Sequence, residues 1–263
     1  MALVPFPGSQ SGALQTPPED DEDPSGEKMS FLEHLDELRK RIVNACIAIA
    51  IGVVVSFAFI DRIYKFMMAP TIRVLPKGSK LMFTEPGEAF SLYIQLSLIA
   101  GAVMAAPYIM YQVWKFIAPG LYTNEKKFAV PFVVLSSSGF VGGALFNHYI
   151  VFPFMISFFA SFMTDELLFM PKLESVFGMY TKFLLIMGLV FQMPTIVFFL
   201  AKMKLVTARF LARNFKYAIL IIFIVAAVVT PGGDPGTQTI FALPMIGLYV
   251  LSIGIAWIVS PRR

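Results

Sequence analysis

The chain has 263 residues, of which 57% are hydrophobic and only 14% charged, with a mean hydropathy of +0.73 and a formal net charge of +4. That composition cannot cover the surface of a water-soluble domain of this length, so the expected class is an all-α polytopic membrane protein. The single cysteine, Cys46, lies in an apolar run and cannot form an internal disulfide.

Residues 1–28 are rich in Pro, Gly and Ser and carry the acidic run EDDED at 19–23. They cannot build a core and read as a disordered acidic tail, without the basic start and apolar stretch of a signal peptide. The next segment, SFLEHLDELRKRI at 30–42, reads as an amphipathic helix over 29–41. Ser30 and Glu33 fit a capping box, and Phe31, Leu35, Leu38 and Ile42 fall at helical spacing as an apolar stripe. Asp36 with Lys40, and Glu37 with Arg41, stand at i,i+4 in the favourable order. Taken alone, these charges are helix-surface ion pairs worth a few tenths of a kcal/mol each, by the ~0.2–0.5 range for such pairs.

Six apolar stretches within 42–259 are long enough, or nearly so, to cross the roughly 30 Å hydrocarbon core. They run over 42–60, 92–114 (with Pro107 inside), 129–152, 176–201 (with Gln192 and Pro194), 217–230 and 240–259. Pro107 and Pro194 are expected to kink the second and fourth spans and to curve the arrangement into a cup. Residues 61–91, with Pro70, Pro76, Gly78, Pro86 and Gly87, read as an extended loop. The loop between the second and third spans, YQVWKFIAPGLYTNEKKFAVP, contains one acid, Glu125, between Lys115 and Lys126–Lys127. Glu125 is either half of a binding pair with Glu37 for a guanidinium or a first-turn helix acid after Asn124. The third span carries Gly139 and Gly143 at G-x-x-x-G spacing, a signature of close helix packing. The stretch PFMISFFASFM at 153–163 is too short to cross and reads as a separate helix lying on or capping one face. Gln192 either ties its helix to a neighbour or binds a partner. The fifth span, 217–230, is short, about 21 Å at 1.5 Å per residue, and the breaker-rich TPGGDPGTQ turns it into a hairpin with the sixth. Residues 260–263 are a short C-terminus.

An even number of spans puts both termini on one side. That side collects fourteen of the 21 Lys and Arg residues and the other side seven, so the positive-inside rule places both termini in the cytoplasm. Trp114 and Trp257 fall near cytoplasmic span ends, where indoles favour the interface. A coupled secondary transporter is the rival reading. It needs ionisable groups near the midplane, yet the seventeen acids lie in the tail, the opening helix, the loops or at span ends, and Lys182 is close enough to an end to snorkel. An intramembrane enzyme lacks its motifs: there is no H-E-x-x-H, no G-x-S-x-G and no glycine-rich phosphate loop.

HLDELRKRI, MAPTIRVLPKGS, YQVWKFIAPGLYTNEKK, FQMPTIVF and VVTPGGDPGTQ occur in that order across the spans. Together they closely resemble the TatC family, the receptor and core subunit of the twin-arginine protein translocase, over about Ser30 to Val259. The resemblance implies a protein of the bacterial cytoplasmic membrane that is not an enzyme and needs no cofactor or metal. Such a protein recognises twin-arginine signal peptides on folded precursors and nucleates the translocation complex, driven by the proton motive force. The implied partners are those peptides, single-span TatA- and TatB-type subunits, further copies of the chain and the lipid bilayer, with no nucleic acid. The resemblance also implies site residues. Glu37 and Glu125 contact the arginine pair, and Arg39 and Phe116 fall on further cargo-recognition positions. Pro70 matches a proline of the first extracytoplasmic loop, and Asp234 and Gln238 match polar positions of the last extracytoplasmic turn. One departure stands out: where the family commonly has glutamate in F-E-x-P, this chain reads FQMP, so Gln192 keeps the hydrogen-bonding shape without a titrating group. His148, in FNHYIVFP, stands where the family often has an aromatic and is expected to be interfacial.

Overall fold

The computed structural model describes residues 31–75, 81–117, 129–164, 166, 169–230 and 234–259, and these form an all-α bundle. The acidic tail, Ser30 of the capping box, the segment with Pro76 and Gly78, Asn124 and Glu125, residues 231–233 of the hairpin turn and the C-terminus 260–263 lie outside the described residues. The helices are α1 (Phe31–Ala58), α2 (Ile60–Val74), α3 (Glu88–Ile117), α4 (Ala129–Phe146), α5 (Phe152–Ala160), α6 (Leu173–Val190), α7 (Met193–Lys202), α8 (Ala208–Arg213), α9 (Phe215–Val229) and α10 (Pro235–Val259). Five helical stretches are long and apolar enough to cross a membrane, and α9, with 15 residues, is the shorter sixth. We call the face where α1 begins the near face and the opposite one the far face.

The amphipathic segment and the first span are one helix, because nothing between Leu38 and Ile42 breaks the backbone bonding. The buried stripe of α1 is not the expected apolar one. Leu35 and Ile42 are 44% and 54% exposed, whereas His34, Glu37, Leu38 and Arg41 turn inward toward α3. The reason is the solvent. Lipid tails accommodate leucine and isoleucine as well as a protein interior does, so small and polar residues take the helix–helix contact. Further along, Gly52 and Gly101 bring the α1 and α3 backbones together, and a Cβ on Gly52 would stand 2.6 Å from the Gly101 carbonyl oxygen. This is the most extensive helix pair of the fold.

Residues 61–91 are not one extended loop. They begin with the 15-residue α2, whose inner face buries Met67, Met68, Pro70 and Thr71 against α3 and α5. The spacing of Ile60, Ile63, Tyr64, Met67 and Met68 is helical; of the breakers that suggested a loop, Pro70 is taken into the helix and the rest follow it. The stretch 153–163 is no separate surface helix either. The third span runs on through a π-turn at Asn147–Val151 into α5, and Phe152, Met155 and Ile156 are fully buried in the main core. The π-turn absorbs the register change without ending the helix. As expected, Gly139 and Gly143 face the fourth span: a Cβ on Gly143 would meet the Met187 carbonyl oxygen at 2.5 Å.

The two prolines act differently. α3 runs unbroken through Pro107, while the fourth span divides into α6 and α7 at Phe191–Gln192, with Pro194 in the first turn of α7. Trp114 is not at a lipid interface; at 4% exposure it packs with Phe132 and Phe199, tying α3, α4 and α7. Trp257 is exposed as expected.

Candidate functional site

On the near face, the start of α1 meets the end of α3. The His34 ring stacks on Phe116 with centroids 4.4 Å apart and an interplanar angle of 23°. One turn further, Glu37 and Arg41 form their expected ion pair at 2.7 Å, and the Arg41 guanidinium donates to Gln112 Oε1 at 3.5 Å. Asp36 and Lys40, both exposed, do not close the second expected pair among the described residues. Arg41 engages only Oε1 of Glu37. Oε2 is shut off from solvent and has no hydrogen-bond partner, and Arg41 Nε is likewise unpaired. A buried carboxylate oxygen without a donor is costly, so this end of the molecule holds an unused acceptor beside an aromatic pair. A groove of about 980 Å³ runs along the same stretch of α1, lined by Glu33, Asp36, Glu37, Arg39, Lys40 and Arg41 among others.

The structure therefore brings Glu37 and Phe116 to one place and puts Arg39, exposed, on the groove wall. Glu125 lies outside the described residues. Sequence reasoning missed His34 and Gln112. Only the contact between helices reveals them, because neither has a charge pattern or motif of its own.

Gln192 is 6% exposed at the break between α6 and α7. Its Nε2 donates to the Ser136 carbonyl on α4 at 3.0 Å, with a longer contact to Gly188 O at 3.5 Å. Of the two roles open to it, this geometry supplies the tie to a neighbouring helix. Gln192→Leu is expected to cost about 1 kcal/mol, read as a lower thermal unfolding midpoint of the purified chain with no partner subunit present. An unchanged midpoint would remove the tie.

On the far face the other site residues have structural partners. Pro70 is buried inside α2. Asp234 caps α10: its Oδ2 accepts from the Thr237 backbone N–H at 2.8 Å and its Oδ1 from the Thr237 hydroxyl at 2.7 Å. Gln238 follows in the first turn, its N–H donating to Asp234 O at 3.2 Å. The Thr237 amide, then its hydroxyl, hold the Asp234 carboxyl below the usual aspartate range. The stabilisation is therefore present at neutral pH and is lost as pH falls through that lowered value, below about pH 4. Asp234→Ala is expected to cost about 1 kcal/mol at pH 7, as for an N-cap. The gap should narrow as pH falls below about 4 in paired unfolding curves.

Glu88 is the far-face residue that sequence reasoning missed. It is 6% exposed, and its Oε2 accepts from Thr84 N at 2.8 Å and Glu85 N at 3.4 Å while Oε1 accepts from Glu174 N at 2.9 Å. It thus caps two helix starts, its own and that of α6, whose N-cap position Lys172 has no capping side chain. Beside it Leu173 N–H donates to Met82 O at 2.8 Å. His148, expected to be interfacial, is buried. Its Nδ1 lies 3.0 Å from Tyr180 Oη and its ring stacks on Phe66 with centroids 4.0 Å apart, because α2 folds over it.

Residues 33–244 match the family model described as TatC, Sec-independent protein translocase protein. The chain is 42% identical over 227 residues to the Sec-independent protein translocase protein TatC of Desulforapulum autotrophicum, covering 86% of this chain and 84% of that one. It is 40% identical over 238 residues to the TatC of Koribacter versatilis, covering 89% and 88%. Its fold is similar to the crystal structure of the twin-arginine translocase receptor TatC, with a TM-score of 0.75 and 34% identity over 85% of this chain and 98% of that one.

Proposed function

The chain belongs to the TatC family of Sec-independent protein translocase subunits, and from that premise we propose that its near face is the receptor site for twin-arginine signal peptides. It is a multi-pass membrane component of protein transport. The observation that carries the site is the buried, unpartnered Oε2 of Glu37 next to the His34–Phe116 stack. A guanidinium supplies parallel N–H donors that a carboxylate accepts, and its flat face packs on aromatic rings. The first arginine pairs with Oε2 of Glu37 and lies against Phe116, which requires the start of α1 to shift and open that oxygen, closed to solvent in this conformation. The second meets Glu125, and Arg39 and the acids of the groove wall set the register. The groove is lined by three acids followed by three bases, so it carries no net charge. Selection then rests on pairing geometry, which separates Arg from Lys, rather than on bulk attraction.

In this reading the near face is cytoplasmic, the membrane is the bacterial inner membrane, and the apolar part of the peptide enters along the bundle. TatA- and TatB-type single-span subunits and further copies of the chain dock against the later spans. Gln192 is reached by such a subunit only if α4 and the α6–α7 break part, because its amide is committed to Ser136. The proton motive force drives transport, and in this chain Gln192 is not a carrier of the proton.

The test is binding of a fluorescent signal peptide carrying Arg-Arg or Lys-Lys to the purified chain. Glu37→Gln and Glu125→Gln are each expected to weaken the Arg-Arg peptide about ten-fold, more at low salt, and to leave the Lys-Lys peptide little changed. Equal affinity of both variants and the parent would remove the carboxylates from the site.

A further inference from the structure

A second cavity, of about 670 Å³, opens between the starts of α3 and α6 and the end of α9, all at the far face. Its walls are mostly apolar, but two exposed polar side chains about two turns inside the helix ends line it: Gln95 of α3 and Lys182 of α6. The Glu88 carboxylate ties the two helix starts together through the Glu174 N–H, so the helices share a register. Gln95 is seven residues beyond Glu88, and Lys182 is eight beyond Glu174. At 1.5 Å per residue they stand about 10 and 12 Å inside the far ends of their helices, at matching depth. Lys182 has no ion pair among the described residues. A lone cation at that depth in ordinary hydrocarbon is expensive.

The third wall resolves this. α9 spans 15 residues, about 22 Å, some 8 Å short of the hydrocarbon core. Its near end is anchored by Arg213 and by Lys216, whose ammonium lies 5.0 Å from the Tyr217 ring, so the shortfall is taken up at the far end. There Val228 and Thr230 line the cavity. The bilayer thins toward that end, and the headgroup level descends to about the depth of Lys182 and Gln95. Phosphate oxygens then replace hydrocarbon around the ammonium. At the rim Lys172 and Glu174 leave one net positive charge with Lys182.

We propose that this cavity binds the phosphate of an anionic phospholipid of the far leaflet, with the Lys182 ammonium and the Gln95 amide as donors and the acyl chains along α9. The site is independent of the peptide site on the near face, so Lys182→Gln leaves twin-arginine peptide affinity unchanged, and failure of either reading is seen separately. The full chain in mild detergent is titrated with palmitoyl-oleoyl phosphatidylglycerol or phosphatidylcholine and read by native mass spectrometry. Lys182→Gln and Gln95→Leu are expected to lower bound phosphatidylglycerol about three-fold, the scale of a part-exposed charge pair. Lys182→Arg and the near-face Lys204→Gln should keep it, and phosphatidylcholine should not respond. Retention in Lys182→Gln, or equal loss in Lys204→Gln, overturns the site. In intact membranes a photo-crosslinker at Gln95 should capture phospholipid. Capture of a single-span protein instead, or of nothing, also overturns it.

Discussion

Gly101→Val is expected to destabilise the fold by about 3 kcal/mol, at the upper end of overpacking costs, and to weaken peptide binding with it. A Cβ at this position would stand 2.5 Å from Val53 N and 2.8 Å from the Gly52 carbonyl carbon, and at Gly52 it would meet the Gly101 oxygen at 2.6 Å. Backbone cannot swing aside as a side chain does, so α1 and α3 must move apart. The same interface holds the Ser56 hydroxyl 3.6 Å from Met104 Sδ and, at its near end, the His34–Phe116 stack and the Arg41–Gln112 contact. Prising the helices apart at Gly101 therefore loosens the peptide site at Glu37 and Phe116, about four helical turns away along each helix. The measurements are the thermal midpoint in detergent and the affinity for an Arg-Arg peptide. Gly247→Ala and Gly254→Ala in α10 meet nothing within 4 Å and serve as controls. They should be neutral or stabilising by up to ~1 kcal/mol through helix propensity. If Gly101→Val behaves like them, the close approach of α1 and α3 is wrong.

Glu88→Ala is the second large effect, expected as a lower thermal unfolding midpoint and a local loss of amide protection. The substitution takes the acceptor from the Thr84 and Glu174 amides and removes the anion from two helix starts. Glu88→Gln keeps one acceptor oxygen but turns an NH₂ toward the other donors, so it should fall between the parent and the alanine variant. Hydrogen exchange is the direct readout. The Glu174 amide should lose protection in Glu88→Ala while amides in the middle of α6 keep theirs. Protection at Glu174 equal to the parent's would mean that another acceptor caps α6. A chain lacking this clasp should also lose the shared register of Gln95 and Lys182.

Much of the architecture is written in hydrophobic runs. The spans centred on 42–60, 92–114, 129–152, 176–201, 217–230 and 240–259 each correspond to a helix or a helix pair, and the short fifth span is α9. The errors cluster where length and breakers stood in for packing. The run 153–163, with eleven residues, looked too short to cross, whereas the π-turn lets the third span continue into it. The loop reading of 61–91 overlooked α2, whose helical spacing is masked by the prolines and glycines after it. Of the candidate site, the motifs singled out Glu37, Arg39, Phe116 and Gln192, and Asp234 and Gln238 as polar positions of the last turn. What each touches was not visible. Gln192 bonds Ser136, 56 residues away, and Asp234 turns out to be a helix cap.

Composition and periodicity alone determined that this chain is a helical membrane protein, because a hydrocarbon solvent forces every backbone group to be satisfied within its own helix. They determined the order and approximate length of the spans for the same reason. Only the tertiary structure decided which side of each helix is buried, since lipid and protein interior are equally apolar and hydropathy cannot tell them apart. The glycine contact at Gly52 and Gly101, the stacking of His34 on Phe116, the spare oxygen of Glu37 and the clasp from Glu88 to α6 all arise between segments distant in sequence. Such contacts have no local signature. They exist only once two helices have been laid side by side.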